Sequence, residues 1–230
     1  MNPQNLPAVL LEVRTRMAQA AAAAGRSAQS VTLLAVGKAQ PLELLTAAAD
    51  CGVSDFGESY LQEALAKIAA LRARALTWHF IGRIQANKTR PIAEVFSWVH
   101  ALDRLRVAER LAAQRPPAAP PLNVCLEVNI AAEPSKGGVT PAELPALAAA
   151  VARLPRIALR GLMCIPPEET EPARQRAWFA RLRGLRDDLN AAGYSLDTLS
   201  MGMSADFEAA IEEGATIVRL GTVLFGARPR

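Results

Sequence analysis

The sequence predicts an α/β fold, a single (β/α)8 barrel of the TIM type with one extra helix ahead of its first strand. Three observations carry that prediction. Short apolar or β-branched runs alternate with longer helical patterns from Val31 onward, and the runs number eight, which is the count that closes a parallel barrel. The Gly-x-Gly-x-x-Gly turn that an open dinucleotide-binding sheet places after its first strand is absent. No composition break divides the chain, so residues 1–230 read as one domain.

Taken in order, the amphipathic, alanine-rich segment 6–24 stops at Gly25 and predicts a helix that packs outside the barrel or plugs one end. Strands are predicted over 31–38, 54–58, 77–82, 97–102, 122–130, 158–165, 198–203 and 217–225. Helical patterns cover 42–49, 60–72, 104–114, 142–153, 172–192 and 206–213, with starts marked at Asp103 and Pro141. Each is long enough to cross over between parallel strands. The proline-rich stretch 116–121 suits a stiff connection into the fifth strand.

Composition excludes several classes of function. Hydrophobic residues make up 51% and charged residues 21%, which is globular rather than disordered. The net charge of +4 comes from arginines scattered over helices, so no nucleic-acid footprint is expected. No apolar run approaches the roughly 20 residues that span a bilayer, and the amino terminus lacks the pattern of a signal peptide. Cys51, Cys125 and Cys164 show no paired spacing and read as reduced thiols, so a cytoplasmic, non-membrane protein is expected.

Lys38 closes the first strand pattern and is one of four lysines among 26 Lys and Arg residues. An amine can lose its proton and form an imine with an aldehyde, whereas guanidinium stays protonated. Active sites of such barrels lie at the carboxyl ends of the strands, so Lys38 is a candidate Schiff-base residue at the barrel mouth; a salt-bridging strand cap is the alternative. Apolar walls there would lower its pKa. The seventh run ends Ser200-Met-Gly-Met-Ser204 and the eighth contains Arg219-Leu-Gly-Thr222. Loops after strands 7 and 8 hold phosphate in these barrels. Ser200, Gly221 and Thr222 therefore form a candidate phosphate cup, with ordinary turn chemistry as the alternative. An amine beside a phosphate cup suits pyridoxal 5'-phosphate. Arg219 could meet its pyridine nitrogen and keep it unprotonated, or instead pair with Glu127 or Glu58.

Four stretches carry a family resemblance: Thr77-Trp-His-Phe-Ile-Gly-Arg-Ile-Gln-Ala-Asn-Lys88, Phe56-Gly-Glu-Ser59, Leu159-Arg-Gly-Leu-Met163, and Leu199-Ser-Met-Gly-Met-Ser204 followed by Arg219-Leu-Gly-Thr222. They resemble the pyridoxal phosphate homeostasis proteins, single-domain relatives of the alanine racemase barrel, over about residues 31–227. The resemblance implies pyridoxal phosphate held as an imine on Lys38. It also implies a phosphate site around Ser200, Gly221 and Thr222, Arg219 near the ring nitrogen, and a role in vitamin B6 homeostasis without an established reaction. Gly37, Ser59 and Ser135-Lys-Gly-Gly138 depart from the family's usual residues, so no role is carried onto Ser59.

A racemase needs a second base, and neither Tyr60 nor Tyr194 is predicted at a strand end. The expectation is therefore a monomeric carrier that buffers the cofactor or delivers it to apoenzymes, with a pyridoxal phosphate-dependent racemase or lyase acting on a small amino acid as the alternative. Lys136, in a glycine-rich loop after the fifth strand, is a candidate for cofactor hand-over. His79 and His100 lack the acidic neighbours in sequence that would argue for a metal and read as satisfied structural histidines. Met163, Met201 and Met203 are expected to pack the barrel mouth.

Overall fold

The structure, a computed structural model, describes residues 2–227. Eight parallel strands close in chain order: β1 Thr32–Val36, β2 Asp55–Glu58, β3 Thr77–Phe80, β4 Trp98–Leu102, β5 Leu122–Glu127, β6 Ile157–Met163, β7 Thr198–Ser200 and β8 Ile217–Leu220, the last pairing back onto β1. The helices are α1 Leu6–Ala23, α2 Leu42–Asp50, α3 Leu61–Ala70, α4 Thr89–Val95, α5 Leu105–Gln114, α6 Leu144–Val151, α7 Pro172–Ala191, α8 Phe207–Glu212 and α9 Thr222–Phe225.

The barrel reading holds because both faces of the strands are buried. One face carries the apolar residues that meet the helices, such as Phe56, Phe80, Val99, Leu126, Leu162, Leu199 and Leu220, all at most 2% exposed. Parallel strands covered on both sides read as near-continuous apolar runs, and that is the signal by which the sequence betrays them. The opposite face points into the barrel. There a small apolar cluster of Ala101, Cys125 and Met163 against Trp98 lies beside polar residues. α1 buries Leu6, Leu10, Val13, Met17, Ala20 and Ala21 along one stripe and packs on α8 and α9, outside the strands. Of the two placements expected for this helix, the outer one is correct. Arg16 pairs with Glu208 of α8 and secures it.

Several boundaries differ from the sequence reading. The eighth strand ends at Leu220, and residues 222–225 turn into α9 instead of extending the strand. Val223, Leu224 and Phe225 are as apolar as strand residues, so periodicity over four residues could not separate the two states. α4 has no counterpart among the expected helices. It is seven residues long and carries Pro91 in its first turn, where a missing N–H costs nothing. The strands predicted over 122–130, 158–165 and 198–203 stop at Glu127, Met163 and Ser200, because the chain there leaves the ladder to form the rim. The stiff 116–121 connection is held by the buried Arg115. Its guanidinium donates to the carbonyls of Pro120 (2.8 Å), Ala93 and Phe96 (both 2.7 Å).

Candidate functional site

A cavity of about 240 Å3 opens at the carboxyl ends of β1, β6 and β8. Its polar wall consists of Lys38, Ser59, Ser204, Arg219, Gly221 and Thr222, and Val36, Ile81, Met163 and Met203 contribute apolar wall. Lys38, Arg219, Gly221 and Thr222, predicted separately from the sequence, thus meet around one space. Register explains the meeting. Leu34 of β1 stands level with Arg219 of β8, so Lys38, further along in the turn beyond β1, clears the strand end and reaches the rim.

The turn that carries Lys38 is held from behind by charge. Lys67 of α3 is 6% exposed and donates to the Gly37 carbonyl (2.7 Å), to Glu58 Oε1 (3.0 Å) and to Glu63. Glu63 in turn accepts from the Ala39 backbone N–H at 2.8 Å, and Ala39 adopts φ +56°. A non-glycine residue in the left-handed region persists only where its surroundings hold it, which these bonds do. Glu58 is fully buried and its second oxygen has no partner among the described residues. Burial pushes its carboxyl up to about 7 against the lowering influence of Lys67. The same carboxylate accounts for Gly37, because a Cβ there would lie 2.6 Å from Glu58 Oε1 and 2.9 Å from Leu45.

At the other end of the cavity the chain leaves β7 through Gly202, whose φ of +92° turns it and whose missing Cβ avoids Ala210 at 2.6 Å. Asp206 accepts from the Met203 backbone N–H at 2.6 Å and fixes this turn. Ser204 faces the cavity and its Oγ accepts from the Val223 N–H at 3.1 Å. Thr222 also faces the cavity.

Ser200 stands elsewhere than the sequence reading expected. It is paired with Ile217, one inward layer below Arg219, is fully buried and does not line the cavity. Its hydroxyl is engaged at 2.7 Å with His100 Nδ1 and at 2.9 Å with Arg219 Nη1. Of the two serines in Ser200-Met-Gly-Met-Ser204, the one that reaches the rim is Ser204. Ser204, Gly221 and Thr222 thus line the cavity together, with Ser200 beneath them.

Arg219 is 5% exposed. Nη1 donates to the Ser200 carbonyl (2.6 Å) and hydroxyl, and Nη2 donates to the Cys164 carbonyl (2.9 Å). No ion pair joins it to Glu127 or Glu58, the alternatives read from the sequence; Glu58 pairs with Lys67 instead. Burial lowers the guanidinium pKa against the raising influence of Cys164, Asp206 and Glu127. Among the described residues, three of its five donors at most are used by protein acceptors, which leaves two.

His79 and His100 are both buried. They are bonded to each other at 2.9 Å, and His79 Nε2 lies 3.0 Å from Asp55. Burial depresses both imidazoles, His100 well below its usual value. They are satisfied as expected, but they end on Arg219. Only their inward register on β3 and β4 could have signalled this. Lys136 lies outside the cavity, paired with Glu133 at 2.7 Å and bonded to the Ile165 and Pro166 carbonyls. Met163 and Met203 line the cavity, while Met201 is buried in the outer core. Cys125 and Cys164 are buried, with thiols pushed up to about 12, and the described cysteines form no disulfide.

Comparison with known proteins follows the same outline. The family described as alanine racemase, N-terminal domain, matches residues 12–229. A pyridoxal phosphate homeostasis protein of Pseudomonas aeruginosa is 59% identical over 219 residues, covering 95% of this chain and 94% of the relative. Its namesake in Escherichia coli K12 is 49% identical over 222 residues, covering 95% of each. The solved structure of PipY from Synechococcus elongatus with PLP bound superposes with a TM-score of 0.78 at 38% identity, covering 86% of this chain and 93% of that one.

Proposed function

The chain belongs to the alanine racemase N-terminal domain family and, within it, to the pyridoxal phosphate homeostasis proteins, and from that premise we propose that it binds pyridoxal 5'-phosphate through Lys38 and buffers or delivers the cofactor. The observation that carries the reading is the single cavity that gathers Lys38, Arg219, Gly221 and Thr222. The donor set fits the cofactor's three ends. A lysine amine suits the aldehyde, an arginine with two uncommitted donors suits a ring nitrogen that accepts, and two hydroxyls with a glycine suit the phosphate. Val36, Ile81 and Met163 supply apolar wall for the ring between them. When bound, the cofactor contributes an aldehyde carbon that amines can exchange upon, and such exchange is what delivery requires.

Each residue then has a separable task. Lys38 anchors. Ser204, Gly221 and Thr222 orient the phosphate end, and Arg219 presents N–H to the ring nitrogen. A permanent cation there disfavours a proton on that nitrogen and restrains electron withdrawal from a bound amino acid. This supports a carrier without catalysis of its own, acting on apoenzymes as recipients. Lys38, Ser204, Arg219, Gly221 and Thr222 all lie within one barrel, and we infer that this single domain, as a monomer, is sufficient. Among the described residues no helix is long and apolar enough to cross a membrane, and the thiols suit a reducing cytoplasm.

Borohydride reduction of the cofactor-loaded protein, followed by peptide mapping, places the adduct on Lys38. In Lys38→Ala the affinity falls more than about tenfold and the adduct at this position is lost. An adduct mapped elsewhere in the native chain overturns the assignment. Amino acids incubated with the loaded protein in heavy water retain their α-protons; rapid exchange sinks the reading of a carrier without catalysis.

A further inference from the structure

Five buried or partly buried side chains from five strands form one unbroken hydrogen-bonded line through the barrel. Asp55 on β2 meets His79 on β3 at 3.0 Å, His79 meets His100 on β4 at 2.9 Å, His100 meets Ser200 across the barrel on β7 at 2.7 Å, and Ser200 meets Arg219 on β8 at 2.9 Å. We propose that Asp55, His79 and His100 are positioning residues for Arg219, acting through Ser200 to hold its guanidinium in the orientation that meets the cofactor ring. The inference rests on the proposed function for the target of Arg219, and on geometry alone for the line itself.

The chemistry of the two ends gives the line a single direction. Arginine only donates, and an ionised carboxylate only accepts. Arg219 Nη1 therefore donates to Ser200 Oγ, the Ser200 hydroxyl donates to His100 Nδ1, His100 Nε2–H donates to His79 Nδ1, and His79 Nε2–H donates to Asp55. Both imidazoles are neutral in this arrangement, in keeping with the burial that depresses them. Burial pushes the Asp55 carboxyl up, but the bonds from His79 and from Ser54 (2.5 Å) outweigh it and keep Asp55 an acceptor. Each tautomer is thus set by its neighbour.

The consequence falls on Ser200. Because the Ser200 hydroxyl donates to His100, the oxygen turns its lone pairs toward Arg219. Without an acceptor at position 100 the hydroxyl is free to swing toward the guanidinium, where donor would face donor. A barrel interior needs no such polar line for packing, and every buried polar group in it is costly unless satisfied. His79 stacks on Trp98 at 5.5 Å with 5° between planes, which fixes the ring plane on which the next bond depends.

The test uses the whole chain with and without cofactor. In His100→Leu the Arg219 guanidinium 15N resonances of the cofactor-free protein shift and average. Pyridoxal phosphate affinity drops about tenfold, and the absorbance band of the bound cofactor moves. His100→Asn, whose amide oxygen replaces Nδ1 as acceptor for Ser200, restores affinity to within about threefold of native. Should His100→Leu fail to fold, Asp55→Asn, at the far end of the line, gives the same signs with smaller size. Unchanged Arg219 resonances, or changed resonances with unchanged affinity and band, overturn the proposal. A native chain that binds no pyridoxal phosphate overturns the proposed function instead, and the resonances of the cofactor-free protein still report on the line.

Discussion

Lys38 and Lys67 are two of the chain's four lysines, and they sit in opposite surroundings. Lys38 is half-buried in the wall of a cavity beyond the end of β1, beside residues able to hold an anionic ligand. Lys67 is buried on α3 with its ammonium committed to Gly37, Glu58 and Glu63. Both positions suit an ammonium rather than a guanidinium, for different reasons. At position 38 the useful property is an amine that can be deprotonated. At position 67 it is a compact cation with three diverging donors, each taken by a different acceptor. The pair teaches that residue scarcity points to special chemistry without saying which kind, and that the second lysine serves the first by holding its turn.

The sharpest way to break this comparison is Lys67→Met. It leaves Glu58 buried without its cation, and above pH 7, where that carboxyl is ionised, unfolding in urea should show a loss of about 3–5 kcal/mol. If stability hardly moves and the borohydride adduct vanishes instead, Lys67 and not Lys38 is the anchor. Next in size is a pH effect. The folded Glu58 carboxyl keeps its proton up to about 7, above its ordinary 4.5. Its contribution to stability is therefore full below pH 4.5 and is lost as pH rises through 7. Between pH 5 and 8 the native protein should lose on the order of 1–3 kcal/mol relative to Glu58→Gln, a change read from denaturation midpoints. Parallel pH curves for the two proteins would remove Glu58 from the network as a titrating group.

The histidines run the opposite way. Their depressed pKa values mean stability that is present above pH 6.5 and lost as pH falls, because the unfolded chain binds protons that the folded chain refuses. The stability advantage of the native chain over His100→Asn should shrink from pH 7 to pH 5, and an advantage that grows on acidification contradicts neutral imidazoles. The smallest effect belongs to Gly37→Ala. Its Cβ meets the end of the Glu58 side chain and Leu45, for about 1 kcal/mol of overpacking. A neutral outcome there would show that the turn behind Lys38 yields more readily than the Lys67 network suggests.

The strands were legible because their apolar runs are short and bounded, and their number left little choice of architecture. Lys38 and the Arg219-Leu-Gly-Thr222 segment were legible because strand ends are where such barrels place chemistry. α4 and α9 were not, since seven and four residues carry too little periodicity to outweigh a proline or a β-branched run. His79 and His100 looked bland for a different reason. They are 21 residues apart and their partners lie on other strands, the furthest 100 residues from His100.

By itself, then, the sequence determined the closed eight-stranded alternation, the helix before it, and a lysine and an arginine-glycine-threonine segment at adjoining strand ends. These follow from patterns local to the chain, where side-chain period and strand order suffice. Tertiary structure alone decided that Ser204 rather than Ser200 reaches the cavity, that Lys67 and Glu58 stand behind Lys38, and that two histidines join Asp55 to Arg219. The physical reason is register. Which inward residue lies in which layer depends on how each strand is staggered against its neighbours, and the pairing of Ser200 with Ile217, one layer below Arg219, is a relation between strands that neither strand encodes alone.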